Sequence, residues 1–178
     1  MKPAQNKARS LVAALTLSAA AFGAWQVNEG WTGNAVIPTK GDVPTIGHGS
    51  TRYEDGSRVK MGDVITRQRA AVLARNLISA DERAFAASLP AGAALYQEEF
   101  DVYMDFVGQY GVGNWRSSSM RTNIAAGRYV AACQSLLMYR KAAGYDCSTL
   151  VDGKPNQRCY GSWLRQLERH RKCMAVQS

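Results

Sequence analysis

The chain has 178 residues and a formal net charge of +8, from 22 Lys and Arg against 14 Asp and Glu. That length indicates one domain of about 150 residues beyond an N-terminal segment, enough to bury a proper core. The basic balance suits attraction to anionic polymers. No nucleic-acid motif is present, and no internal repeat or low-complexity segment follows Val27, so repeat and disordered architectures are excluded and envelope polymer is the better partner.

In chain order the first feature is an uncharged stretch, Ser10 to Val27, preceded by Lys2, Lys7 and Arg9. As a helix it would span about 27 Å, close to the ~30 Å hydrocarbon core of a bilayer. Its content is weak, with six Ala besides Ser10, Thr16, Ser18, Gly23 and Gln26. Leu11, Val12, Leu15, Leu17, Phe22 and Val27 together supply about −2 to −3.5 kcal/mol toward insertion, much of it offset by the polar residues. The basic start, the apolar run and Ala19-Ala20-Ala21 fit a cleaved secretory peptide. A permanent transmembrane anchor fits less well, because the run is short and rich in Ala, Ser and Gly.

Beyond it, Ala35-Val36-Ile37 and Val43-Pro44-Thr45-Ile46 flank Lys40-Gly41-Asp42, which predicts a hairpin. Gly47, Gly49 and Asp55-Gly56 continue a loop-rich stretch. Thr66 is placed to cap a helix carrying Ala70, Leu73 and Leu77. A further helical pattern carries Phe85 and Leu89 and ends at Pro90-Ala91-Gly92. Tyr96, Phe100, Tyr103, Val107 and Tyr110 recur at helical spacing and predict a buried helix, broken by Gly111-Val112-Gly113-Asn114-Trp115. Asn123 to Gly127 interrupts another stretch before a helix over Tyr129 to Tyr139. The last helix, Gly161 to Cys173, sets Trp163, Leu164 and Leu167 on one side and Arg165, Arg169 and Lys172 elsewhere. A hairpin region followed by helices is an α+β arrangement.

Cys133, Cys147, Cys159 and Cys173 form no C-x-x-C pair, and only His170 lies near them, so a zinc site is not expected. Downstream of an export segment they suggest disulfides, with three possible pairings, rather than buried free thiols. Cys147 and Cys159 flank a stretch with Asp152-Gly153 and Pro155-Asn156 that reads as a loop.

Glycoside hydrolysis needs an acid for the leaving oxygen and a water or nucleophile on the far side of the sugar ring. Glu29-Gly30-Trp31 and Val43-Pro44-Thr45-Ile46-Gly47 supply an acid followed by a hairpin with a hydroxyl residue. They resemble the catalytic segment of phage endolysins of glycoside hydrolase family 24, whose pattern is a Glu, then an Asp, then a Thr. Gln97 through Gly113, the Asn123/Gly127 stretch and the last helix follow that family's C-terminal part, so the resemblance spans roughly residues 20 to 175. It implies a lysozyme-like α+β fold, with a small β-hairpin lobe, a larger helical lobe and a cleft between them. It also implies pairing of Cys147 with Cys159 and of Cys133 with Cys173.

By this resemblance Glu29 is the general acid, kept protonated by a partly apolar setting from Trp31 or a refolded N-terminal helix. Thr45 helps to hold the attacking water. The family's aspartate is missing: counting from Glu29 reaches Pro38, and counting back from Thr45 reaches Thr39. Asp42 is the only carboxylate between Glu29 and Thr45, and it joins Thr45 only if the turn folds back. Otherwise Thr39 and Thr45 position water jointly. Gln109 matches a polar substrate-facing residue of the helical lobe. His48 is read as a solvated loop histidine at the cleft mouth, not a metal ligand.

The implied activity is that of a muramidase, a glycoside hydrolase cleaving the β-1,4 bond between MurNAc and GlcNAc in peptidoglycan to lyse the host cell. Such an enzyme acts as a monomer without metal or cofactor. A lytic transglycosylase, which needs one Glu and leaves 1,6-anhydro ends, is the alternative enzyme. A basic murein-binding or membrane-active protein without catalysis is the alternative class. The N-terminus resembles the signal-anchor-release segments of lambdoid-type endolysins. Residues 1–27 would then be exported uncleaved, tether the domain of residues 28–178 to the inner membrane facing the periplasm, and later release it. Cleavage after Ala21 would delete most of the helix leading into Glu29.

Overall fold

The computed structural model describes residues 8–142, 144–151 and 153–177. Lys2, Lys7 and Asp152 lie outside the described residues. The chain forms two compact units: residues 16–84, and the residues up to Leu15 together with those from Phe85 onward.

Residues 10–27 are not one helix. They divide into strand β1 (Ser10–Leu11), a 3-10 turn over Val12–Ala14, an extended stretch, and the start of helix α1 (Ala19–Glu29). The break follows from local chemistry. Ser18 is extended and its hydroxyl accepts the Ala21 N–H at 3.1 Å, capping α1. Just before it, the Leu17 N–H donates to the buried Glu82 carboxylate at 2.6 Å. No helix among the described residues is long and apolar enough to cross a membrane.

In the unit of residues 16–84, α1 leads into an antiparallel hairpin, β2 (Thr32–Val36) and β3 (Thr45–Gly47). Residues 63–65 run beside β2, with the Ala35 N–H on Asp63 O and the Ile65 N–H on Gly33 O. Helix α2 (Arg67–Ala86) starts at Thr66, whose hydroxyl accepts the Arg69 N–H as its sequence position predicts. Ala35, Ile46, Val59, Ile65, Ala70 and Leu73 form this unit's core, with Tyr53 and Leu77 packed on it. The Phe85 pattern is the end of α2, so one helix stands where two were expected; Leu89 lies in the turn beyond it.

The other unit begins with β1 paired to β4 (Ala94–Leu95). Helix α3 (Gln97–Arg116) carries the predicted aromatic face, with Phe100, Tyr103, Phe106 and Val107 buried. Gly111, at φ 80° and ψ 157°, breaks it at the predicted point. The break lets Trp115 turn into the core, where its ring meets Phe85 at 4.5 Å and Tyr103 at 5.3 Å. Helices α4 (Ser119–Ala125) and α5 (Tyr129–Ser135) follow, α5 giving way to a 3-10 turn that ends at Met138. A small hairpin, β5 (Lys141–Ala142) with β6 (Tyr145–Asp146), precedes the loop expected between Cys147 and Cys159, and that loop carries a second, β7 (Leu150–Val151) with β8 (Lys154–Pro155). Cys147–Cys159 staples them, and Cys133–Cys173 joins α5 to α6 (Tyr160–Met174), the pairing the resemblance implied.

Helix α6 reverses one expectation. Leu164 and Leu167, on the apolar side, are 51% and 37% exposed, while Gln166, Arg169 and Cys173 are buried. The buried side is polar because it meets polar groups of the neighbouring elements. The Gln166 amide donates to Leu136 O and Tyr139 O at the end of a 3-10 turn, where Leu136 O also accepts the Tyr139 N–H. Arg169 donates from Nε to the Asp105 carboxylate and from Nη2 to the Asp105 carbonyl. Burial pulls the Asp105 carboxyl upward, but Arg165 and Arg169 outweigh it and hold the group below its ordinary value.

Glu99 is a further buried charge, with no solvent exposure. Arg9 binds it with two hydrogen bonds, at 3.1 and 3.2 Å, and the Arg9 guanidinium lies between the Tyr96 and Tyr129 rings. Glu99 also accepts the Tyr96 N–H and the Gln177 amide. Arg9→Met should lower stability by about 3 kcal/mol, because it strands a buried carboxylate. Arg9→Lys should recover only part, since it keeps charge but loses the planar fork. Urea unfolding checks this, and an unchanged midpoint in Arg9→Met contradicts it.

Candidate active site

Glu29 is the last residue of α1 and is exposed. Gly30 ends the helix at φ 69°, a backbone state open to glycine, and turns the chain into β2. The hairpin pairs Thr32 with Gly47 and Val36 with Thr45, with an irregularity between. Thr45 opens β3, half-buried, and its hydroxyl donates to Val36 O at 3.4 Å. The hydroxyl's lone pairs therefore remain the part available to a water.

Between the strands, the Asp42 N–H donates to Thr39 O at 2.9 Å and closes a turn with Gly41 at φ 95°. Thr39 and Asp42 thus share the exposed hairpin tip. Gln109 is exposed on α3, two residues before the Gly111 break, and belongs to the other unit. Trp31 packs across Gly33, and the Arg67 guanidinium lies 4.8 Å from its ring centroid.

After β3 the chain makes a tight loop in which Ile46 and Ser50 exchange both backbone hydrogen bonds. Gly47 and Gly49 lie in the left-handed region, at φ 64° and 81°. The loop brings the Thr45 segment back to the acid: a Cβ on Gly49 would stand 3.7 Å from Glu29 Oε2. His48, between the two glycines, is only 8% exposed, so it is not a solvated loop residue. Its Nδ1 lies 2.5 Å from Gly30 O, its Nε2 lies 3.4 Å from the Gln26 amide nitrogen, and its ring packs by Trp25. Glycine on both sides of a histidine was the available signal, since such flanks let a loop turn its side chain inward.

Phe22 and Trp25 on α1 are half-buried and stacked, with the Arg75 guanidinium 5.8 Å from the Phe22 ring. Among the described residues, no three His, Cys, Asp or Glu side chains are grouped to hold a metal ion. The chemistry on offer is proton transfer by a carboxyl group beside a hydroxyl-bearing strand.

The family of phage lysozymes matches residues 26–157, a span that contains Glu29, the hairpin, the His48 loop and both the α2 and α3 helices. The chain belongs to the phage lysozyme family. It is therefore a lysozyme-type glycosidase, with peptidoglycan as its substrate class. No curated protein matches the chain. Among solved structures, a mutant of P22 lysozyme is 21% identical, with a TM-score of 0.68 over 90% of this chain and 99% of its own. The endolysin from Escherichia coli O157:H7 phage FAHEc1 is 24% identical, with a TM-score of 0.66 over 94% and 96%. The active form of the P1 phage endolysin Lyz is 16% identical, with a TM-score of 0.65 over 95% and 96%. These likenesses establish the lysozyme-like fold.

Gly47 ties the hairpin to α2. A Cβ there would stand 2.9 Å from the Ala70 Cβ, on a backbone already at positive φ. Gly47→Ala in this enzyme should cost about 2–4 kcal/mol, from left-handed strain plus overpacking. Thermal unfolding measures it. A loss no larger than that of Gly56→Ala, also at positive φ but in open space, would show that the close approach is unimportant.

Proposed function

We propose that the enzyme cleaves the β-1,4 bond between MurNAc and GlcNAc, with Glu29 as the general acid. The supporting observation is the placement of Glu29 at the open end of α1, against the loop that continues from Thr45. Glu29 gives its proton to the glycosidic oxygen as the bond to the anomeric carbon breaks. Thr45 accepts a hydrogen bond from the attacking water, its own proton being engaged with Val36 O. Asp42 and Thr39, at the hairpin tip, are the remaining groups for water activation and glycan contact, and Gln109 is a glycan-binding side chain of the helical unit. Glu29→Gln should lose at least about a hundredfold in rate on purified murein, the scale of a general acid. Mass spectrometry of the ends reads the product. Reducing MurNAc ends fit hydrolysis, 1,6-anhydro ends would replace it by transglycosylation, and undiminished cleavage by Glu29→Gln would remove Glu29 from the mechanism.

We further propose that residues 10–27 are exported uncleaved, tether the protein to the inner membrane and are then reused in the fold for lysis from the periplasm. Arg9, Val12, Leu17 and Ser18 support retention. Cleavage after Ala21 would remove the guanidinium from Glu99, a core residue, the partner of Glu82 and the α1 cap. While the segment spans a bilayer, those contacts cannot form, so tethering keeps the fold incomplete. The basic N-terminus stays cytoplasmic by the positive-inside bias. The intact mass of active protein released from cells tests this: a full-length chain is expected, and a chain beginning near Phe22 would mean an ordinary signal peptide.

A further inference from the structure

We infer that His48 is a positioning residue for the catalytic acid, acting through the carbonyl of Gly30. The inference rests on the assignment of Glu29 as that acid. A carbonyl only accepts, so the 2.5 Å contact requires the His48 imidazole to carry its proton on Nδ1 and to donate it to Gly30 O. The Gln26 amide, 3.4 Å from Nε2, supplies the matching donor for the nitrogen without a proton. Trp25 lies against the ring, at 5.9 Å between centroids. Three sides of the imidazole are thus set by α1 and its cap, while its backbone belongs to the loop after β3.

The mechanical consequence follows from where Gly30 sits. It is the residue after Glu29, in a positive-φ state with no side chain, so its orientation is set by its neighbours alone. The last carbonyls of a helix have no partner within it. The imidazole takes the Gly30 carbonyl and fixes the direction in which α1 ends. Glu29 Oε2 in turn lies over Gly49, on the other side of His48 in sequence. One side chain therefore holds both the Gly30–Trp31 peptide just after the acid and the loop against which the acid rests. Misplacing a catalytic group by about 1 Å can cost up to a hundredfold in rate without weakening ground-state binding.

Three substitutions separate this role from packing. His48→Asn keeps a donor near the Nδ1 position, His48→Gln moves it toward Nε2, and His48→Phe keeps the ring without a donor. Each is assayed on soluble murein glycan strands, with Glu29→Gln run alongside. The expected result is a kcat within about threefold of wild type for His48→Asn and a fall of about tenfold for the other two, at a KM within about twofold. Wild-type kcat in His48→Phe or His48→Gln overturns the inference, as does an equal loss in all three. Activity retained in Glu29→Gln would instead discard the acid itself. A measurement on the unaltered, untagged protein holds even if a variant fails to fold. The chain has two histidines, His48 and His170, so ring 15N shifts at about pH 8, above the ordinary imidazole range, are simply assigned. A protonated Nδ1 at His48 is expected, and a protonated Nε2 overturns the inference.

Discussion

A carboxylate shut away from water must be matched by charge and hydrogen bonds, and Glu99 is matched from two distant parts of the chain and one near it. Arg9 comes from the N-terminal segment, Gln177 from beyond α6, and the Tyr96 N–H from the start of its own helix. The Tyr129 ring at the head of α5 covers the guanidinium from one side and Tyr96 from the other. An uncompensated buried carboxylate costs several kcal/mol, so these parts are stable only together. The pairing of β1 with β4 and the burial of Val12 follow from the same docking. The helical unit is in this sense closed by a residue that precedes Glu99 by 90 positions, about half of the 178-residue chain.

The two units are held differently. The helical one has a core of Phe85, Phe100, Tyr103, Phe106 and Trp115 and both disulfides. The unit that carries Glu29 has a smaller aliphatic core, with polar ties at its surface. Arg69 grips Glu54 with two hydrogen bonds and Asn76 adds a third, which holds that carboxyl down to about 2. Exposed ties of this kind contribute little stability each, so the geometry there depends on tight turns and close backbone contacts. Gly47 against Ala70 and His48 against Gly30 are such contacts, and both lie in the loop behind the acid.

Periodicity and turn chemistry made much of this legible. The hairpin, the Thr66 cap, the aromatic face of α3 and its break at Gly111 follow from rules that act within a few residues. The disulfide pairing and the lysozyme-like fold came with the family resemblance. What escaped depends on partners far away in sequence. Arg169 reads as a solvated residue until Asp105 is found 64 positions back, and Gln166 as surface until the carbonyls of Leu136 and Tyr139 face it. His48 looked like loop because glycines flank it, yet those glycines are what turn it inward. The uncharged run of residues 10–27 reads as one helix on hydropathy alone. Its hydroxyl at Ser18 and the distant Glu82 decide otherwise.

The meeting of Arg9 and Gln177, hydrogen-bonded at 2.9 Å, also brings the beginning and the end of the described residues to one place. The order in which the polypeptide is threaded is therefore not imposed by the folded geometry. A linker of a few residues after Gln177 would lead back to Arg9, and the chain could be opened instead at a solvent-facing turn, such as the Gly56 bend. In such a circular permutant the arm bearing Arg9 would be an internal loop tethered at both sides. It would reach Glu99 without a search, at the cost of being held on both sides rather than one.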